Sequence, residues 1–345
     1  MTTEGLTVAV TGPTGSIGKA FVRALEIEPT VAHIRGMARR PIDPAEHGWN
    51  KTEYLQGDIL DKDAVEALVD GADVVVHLAF LIFGPRKETH GTNLEGSSNV
   101  FIAALDAGAD RLVYTSSVAA YGFHEDNPLP LHEDVRARGT EEHHYSAQKA
   151  ELEATLARLA SGRDTDVYVF RPCIVAGPTA LDLIDKIPYV KVSERLPDRV
   201  KAVVGSVRLL RPVIPDPGVP FQLVHEDDVA QALVAAVLGR GEPGTYNLAG
   251  DGSITATDLA HALGWYAMPV PEFALDTTVK IISRFPLLPA SASWLHSVRV
   301  PVLMDTEKAK TKLGWRPRYD SIETLQETVA AARDQGLIAW SDKVN

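Results

Sequence analysis

Short apolar, β-rich runs recur at Leu6 to Val10, Ala32 to Met37, Val74 to Leu78, Leu112 to Thr115 and Val167 to Phe170, with segments of helical period between them. This alternation constrains the fold more than any other feature, because strand, helix and strand in succession close into a βαβ unit with parallel strands. The run Val74-Val75-Val76 has no polar side. Strands apolar on both sides belong inside a sheet covered by helices on both faces. The expectation is an α/β fold with a doubly wound parallel sheet.

Composition narrows the partners. Lys and Arg total 34 against 46 Asp and Glu, a formal net charge of -12. Most of the surface therefore repels phosphate polymers, which argues against nucleic acid. No stretch approaches the roughly 20 uninterrupted apolar residues of a membrane span. Cys173 is the only cysteine, so no intramolecular disulfide can form. That suits a reducing cytoplasm. The N-terminus runs through polar residues into the first apolar strand without a basic region or small-residue cleavage site, so no targeting segment is expected.

Thr11-Gly12-Pro13-Thr14-Gly15-Ser16-Ile17-Gly18 follows the first strand and opens the helix Lys19 to Glu26. There a helix N-terminus offers amide donors and a positive dipole to a pyrophosphate. Gly12 permits the turn, Gly15 the approach of a ligand, and Gly18 tight packing of helix on strand. Gly57-Asp58-Ile59 follows the third strand, and His77-Leu78-Ala79-Phe80 ends the fourth. At the end of the second strand an acidic side chain would accept the ribose 2'-hydroxyl of NAD. The sequence there is Arg35-Gly36-Met37-Ala38-Arg39-Arg40, and a guanidinium on Arg39 or Arg40 would grip a 2'-phosphate instead. This favours NADP over NAD, although Asp43 is near enough to serve NAD.

Tyr145 and Lys149, four residues apart, share a helix face one turn apart. An ammonium close to a phenol lowers the tyrosine pKa from about 10 toward neutrality, and three units correspond to about 4 kcal/mol. That would make Tyr145 a general acid or base. Thr115-Ser116-Ser117 closes the fifth strand, where sheet ligands bind, and a hydroxyl there can orient a carbonyl beside Tyr145. The loop resembles the T-G-x-x-G-x-x-G of short-chain dehydrogenases/reductases. Loop, strand-end serines and Tyr-x-x-x-Lys in this order closely resemble the extended branch, also called the NAD-dependent epimerase/dehydratase family.

The resemblance implies residue roles. Ser117, rather than Ser116, matches the catalytic hydroxyl of S-[ST]-x-x-x-Y-G, and Asn93 matches an asparagine that helps hold the cofactor site. Asp58, Ile59, Leu78, Ala79 and Phe80 fall where the family contacts adenine and the middle of the cofactor. Arg171-Pro172-Cys173-Ile174 matches a segment near the nicotinamide, placing Pro172 and Ile174 there. His225-Glu226-Asp227-Asp228-Val229-Ala230 and Leu313-Gly314-Trp315-Arg316-Pro317 match two further motifs, so the likeness runs from Thr11 to Pro317. It implies hydride exchange between a nicotinamide and a substrate carbon. Tyr145 would move the hydroxyl proton, Ser117 would bond the same oxygen, and Lys149 would tune the phenol and bind the ribose. It also implies a homodimer through the helices around Asn93 to Leu105 and Tyr145 to Leu159, and no metal.

With 345 residues and roughly 150 per domain, one large or two moderate domains are expected. Prolines from Pro178 to Pro220 interrupt any long element after Arg171-Pro172. Phe221 to Val224, Asp227 to Leu238 and Thr245 to Leu248 then read as a return to the sheet. The expected division is a dinucleotide-binding Rossmann domain over 1–172 plus about 221–250, and a smaller, discontinuous substrate lobe over about 173–220 plus 251–345. No fixed-period repeat is present.

Other candidates read as structural. His143 and His144 suit a polar helix start, His225 a satisfied structural role, and Cys173 an inert buried thiol. Sugar-nucleotide members of the family clamp the diphosphate with arginines. Here Phe221-Gln222-Leu223-Val224 and Ser293-Trp294-Leu295-His296-Ser297 lack one, and Arg299 is out of register, though Arg195, Arg208 and Arg211 lie in the same lobe. Val118-Ala119 replaces the Asp-Glu pair of the dehydratases. The expected activity is NAD(P)-dependent oxidation or reduction at a secondary alcohol or ketone carbon of an uncharged molecule. The alternatives are an epimerase of sugar nucleotides that retains NAD, and a dinucleotide-sensing regulator without chemistry.

Overall fold

The computed structural model describes residues 5–82, 84, 89–187, 189–190, 211–270 and 300–338. Its strands are β1 (Leu6–Thr11), β2 (Val31–Ala38), β3 (Thr52–Gln56), β4 (Val74–His77), β5 (Arg111–Thr115), β6 (Asp166–Pro172), β7 (Ile174–Ala176), β8 (Val213–Asp216), β9 (Leu223–His225), β10 (Gly244–Leu248) and β11 (Tyr266–Pro269). Seven of them form one sheet in the order β10-β6-β5-β4-β1-β2-β3, with every neighbouring pair parallel. This is the doubly wound, Rossmann-like architecture that the alternating sequence predicts.

Successive strand residues point to opposite faces, and the apolar runs supply both. Val8, Val10, Val74, Val76 and Val113 enter one core; Ala9, Val75, Leu112 and Tyr114 enter the other. On the first face lie α1 (Ser16–Glu26) and the helix Glu226–Val237, which pack on each other. On the second lie α2 (Lys62–Val69), α3 (Ser97–Asp106) and α4 (His144–Ala160). Full burial of a valine is worth about 1.5–3 kcal/mol, so Val74-Val75-Val76 holds its place in the sheet from both sides.

A third core joins Ala176, Ile184, Ile254, Leu259, Leu325 and Val329 beside the sheet. The segment expected to return to the sheet does so only in part. β10 joins it beside β6, but β9 pairs with β7 in a separate two-stranded sheet. The cause is the alternation within β9 itself: Leu223 faces the third core and Val224 the first. Among the described residues no helix is long and apolar enough to cross a membrane.

Candidate active site

The strand order reverses at β1 and β4, opening a crevice beyond their carboxyl ends, the usual ligand position in such sheets. Into it runs the glycine loop. Gly12 has φ +75, and a Cβ there would lie 2.8 Å from the backbone nitrogen of Ala79. At Gly18 a Cβ would lie 2.2 Å from the carbonyl oxygen of Gly12, so loop and helix can close only on glycine. Gly15 differs: a Cβ there would have nothing nearer than the Gly12 carbonyl at 3.6 Å, an ordinary contact. Neither φ nor packing within the chain requires glycine at this exposed position. α1 begins at Ser16, three residues before the expected Lys19, with no side-chain cap and no acidic residue in its first turn. Its amide donors and dipole therefore remain available to an anion, and these features fit a dinucleotide pyrophosphate. Thr14, Ser16 and Ile17 complete the loop, each partly accessible.

At the end of β2, Arg39 and Arg40 are exposed, and their guanidinium groups have no hydrogen bond or ion pair among the described residues. Asp43 accepts the amide of Ala45 at 2.9 Å, capping the turn Pro44–His47. The carboxylate considered as an NAD ligand is thus engaged locally. Asp58 is half-buried and accepts the amide of Leu60, and Ile59 is buried with its carbonyl bonded by Asn99. Leu78, Ala79 and Phe80 continue from β4 into the crevice, all half-buried. His77 at the strand end is buried between Thr11 Oγ1 at 2.7 Å and Ser97 Oγ at 2.8 Å. Burial, aided by the Lys149 charge, pushes its pKa down to about 3, so the ring is neutral near pH 7.

The residues expected to react converge at the end of β5. Tyr145 and Lys149 lie on α4 one turn apart, and Ser117 follows β5 on the same side. Burial raises the Tyr145 pKa above 10, and a side-chain hydrogen bond with Ser117 works against that rise. This departs from the expectation that Lys149 lowers the phenol. The Lys149 ammonium donates to the Thr115 carbonyl at 2.9 Å and the Tyr114 hydroxyl at 3.3 Å, and lies 3.7 Å from the Phe80 ring centre. It is 5.9 Å from the ring centre of Tyr145. Burial, partly offset by Glu153, pushes Lys149 itself down to about 7.

A stability prediction follows from that depressed pKa. Below about 7 the folded chain bears the full cost of a buried ammonium, and the cost fades as pH rises toward the ordinary value of 10.5. Lys149→Met should therefore raise the melting temperature at pH 6 and gain little at pH 10. Thermal melts at the two pH values check this, and an equal gain at both would contradict it.

Asn93 stands in a π-helical turn, Gly91–Gly96, ahead of α3. Its amide takes the Leu81 N–H at 2.8 Å and donates to the Leu81 carbonyl at 3.0 Å and to Gln148 Oε1 at 2.9 Å. It ties the loop after β4 to the Tyr145 helix. Pro172 ends β6, and Ile174, 40% exposed, begins β7 beyond it. Two of the histidines cap helices: the amide of Ser146 donates to His143 Nδ1 at the start of α4, and that of Asp227 to His225 Nδ1 at the start of the next long helix. Burial pushes the Cys173 thiol far up, which keeps it inert. Gln222, near the expected clamp position, binds both backbone groups of Met304. Ser293 to Ser297, Arg195, Arg208 and Arg299 lie outside the described residues.

The sequence reading missed three participants: Tyr114, Gln148 and Glu153. Glu153 carried a signal, since it continues the four-residue spacing of Tyr145 and Lys149.

Known proteins share this fold. An uncharacterised protein of Mycobacterium tuberculosis is 27% identical over 332 residues, 94% of this chain, and the chain spans 30% of that protein's length. The structure of a short-chain dehydrogenase/reductase superfamily protein from Agrobacterium tumefaciens with bound NAD superposes with a TM-score of 0.71 at 19% identity, covering 95% of this chain and 98% of the other. UDP-glucose 4-epimerase of Thermotoga maritima, solved with UDP-glucose, gives 0.70 at 22% identity, covering 96% and 99%. The family described as NAD dependent epimerase/dehydratase matches residues 8–249. With its parallel sheet, glycine loop and Tyr145 helix, the chain belongs to the NAD-dependent epimerase/dehydratase family.

Proposed function

We propose that the chain is an NADP(H)-dependent oxidoreductase acting at a secondary alcohol or ketone carbon of an uncharged small molecule, with Tyr145 as acid and base. The observation that carries this reading is the convergence of Ser117, Tyr145 and Lys149 at the carboxyl end of the sheet that also bears the glycine loop. The nicotinamide, when bound, supplies or accepts hydride. Gly12, Gly15 and Gly18 with the first turn of α1 would hold the pyrophosphate, and Arg39 and Arg40 the 2'-phosphate. Ser117 orients the substrate oxygen and Tyr145 gives it a proton. Burial raises the pKa of that phenol above its ordinary 10, so near neutral pH Tyr145 is a proton donor, the role that ketone reduction requires. Asn93 keeps the loop after β4 on the Tyr145 helix, and Phe80 covers the Lys149 ammonium.

The uncharged substrate is supported by Gln222, whose amide is occupied by Met304, and by Phe221 where a clamp arginine often stands. The reading extends to a homodimer through α3 and α4, whose Ile102 and Ala154 are exposed.

Titration with NADPH and NADH, followed by nicotinamide fluorescence, tests the cofactor assignment. The wild-type chain should prefer NADPH. Arg39→Ala or Arg40→Ala should weaken NADPH roughly tenfold, the loss of one charge-assisted contact of about 1.5–3 kcal/mol softened by solvent exposure, and leave NADH unchanged. Equal loss of both cofactors, or none, would refute the 2'-phosphate role.

A further inference from the structure

Three consecutive residues at the end of β5 meet three residues spaced four apart on α4. The Thr115 carbonyl accepts from Lys149 at 2.9 Å, Ser116 Oγ donates to Glu153 Oε1 at 2.5 Å, and Ser117 interacts with Tyr145. Glu153 closes this series and carries the load of a third element. Arg171 of β6 grips its carboxylate through Nη2 at 2.5 Å and through Nε at 3.0 Å, and the two side chains are only 6% and 10% exposed. The guanidinium is itself fixed over the Tyr121 ring at 4.3 Å.

We propose that Glu153 is a positioning residue for Lys149 and Ser117: its carboxylate, shared with Arg171, supplies the buried counter-charge that favours the ammonium form of Lys149 and locks the strand end carrying Ser117 against the helix carrying Tyr145. A planar guanidinium and a hydroxyl fix the orientation of the carboxylate, so the charge cannot swing away as a surface glutamate would.

The other groups around Lys149 cannot replace it. Tyr145 on the same helix and Tyr114 on β5 are both held protonated by burial, and His77 on β4 is neutral near pH 7. Arg171 is a second cation that the same carboxylate must serve. Removing Glu153 therefore leaves two buried cations without a counter-ion, whereas removing Arg171 leaves the carboxylate to Lys149 alone. The two substitutions should move Lys149 in opposite directions, which no purely structural role predicts.

This inference rests on reading Lys149 and Tyr145 as the reacting pair, but the test reads the charge of Lys149 directly and needs no substrate. The chain is labelled with 13Cε-lysine, Lys149 is assigned by the loss of its resonance in Lys149→Met, and the cofactor-free protein is titrated by NMR. The wild-type midpoint is expected near 7. Glu153→Gln should lower it by about one pH unit, the usual effect of losing a nearby opposite charge, and Arg171→Met should raise it by a similar amount. An unmoved midpoint in folded Glu153→Gln, or movement of both variants in one direction, would overturn the proposal. If Glu153→Gln fails to fold, an unmoved or lowered midpoint in Arg171→Met overturns it. Unchanged turnover in Tyr145→Phe, which would sink the proposed function, would leave this result untouched, so the two readings fail separately.

Discussion

Replacing Tyr145 by phenylalanine should reduce turnover by about 10²–10⁴-fold while leaving dinucleotide affinity unchanged, because it removes one hydroxyl that moves a proton and keeps the ring that packs the site. The ring stands edge-on to Phe80 at 5.5 Å and to His143 at 6.2 Å, contacts that phenylalanine preserves. Lys149 is also undisturbed, since its bonds run to Thr115 and Tyr114. The loss should therefore fall on the chemical step. The measurement is oxidation of the reduced nicotinamide with a ketone that the wild-type chain turns over, beside a binding titration of the variant. Unchanged turnover would remove Tyr145 from the mechanism, and a parallel loss of affinity would make it a cofactor ligand instead.

The second large effect separates two glycines of one loop. Gly18→Ala forces a methyl group to within 2.2 Å of the Gly12 carbonyl oxygen, a side chain against backbone, so α1 must pull away from the loop after β1. Overpacking of this kind costs about 1–3 kcal/mol and here strikes unyielding atoms, so a clear fall in melting temperature is expected. Gly15→Ala meets only an ordinary contact at 3.6 Å, and its φ of -72 suits alanine. Its melting temperature should hold. A bound pyrophosphate would nevertheless meet the new methyl, and a similar 1–3 kcal/mol on the complex amounts to roughly a 5- to 150-fold loss of affinity. Thermal melts and dinucleotide titrations of both variants decide the matter. Wild-type affinity in Gly15→Ala would mean that no phosphate approaches this loop.

The sheet was legible because burial on both faces demands apolar strands, a pattern that Val74-Val75-Val76 displays without ambiguity. β9 was not, since a three-residue strand can read as part of either neighbour and only its split between two cores decides. α1 begins at Ser16 because the phosphate loop folds directly into its first turn, which local composition does not reveal. Tyr145, Lys149 and a strand-end hydroxyl could be brought together from spacing and strand position, and the choice of Ser117 over Ser116 came from the family resemblance. The direction of the Tyr145 pKa could not, because it depends on where the Lys149 ammonium points, and that is fixed by Thr115, Tyr114 and Phe80. Buried polar side chains on α4 such as Gln148 and Glu153 also weaken its amphipathic signal, so the partners of the reacting residues were the hardest to read.

The central claim is that this fold binds an exchangeable NADP(H) for use in reduction. Denaturing the purified protein and identifying any released dinucleotide by mass spectrometry, with its stoichiometry, tests it most directly. The account predicts NADP, or an empty site that then takes up NADPH in preference to NADH. Near-stoichiometric NAD would contradict it, overturning the role of Arg39 and Arg40 and pointing to an epimerase that retains its cofactor.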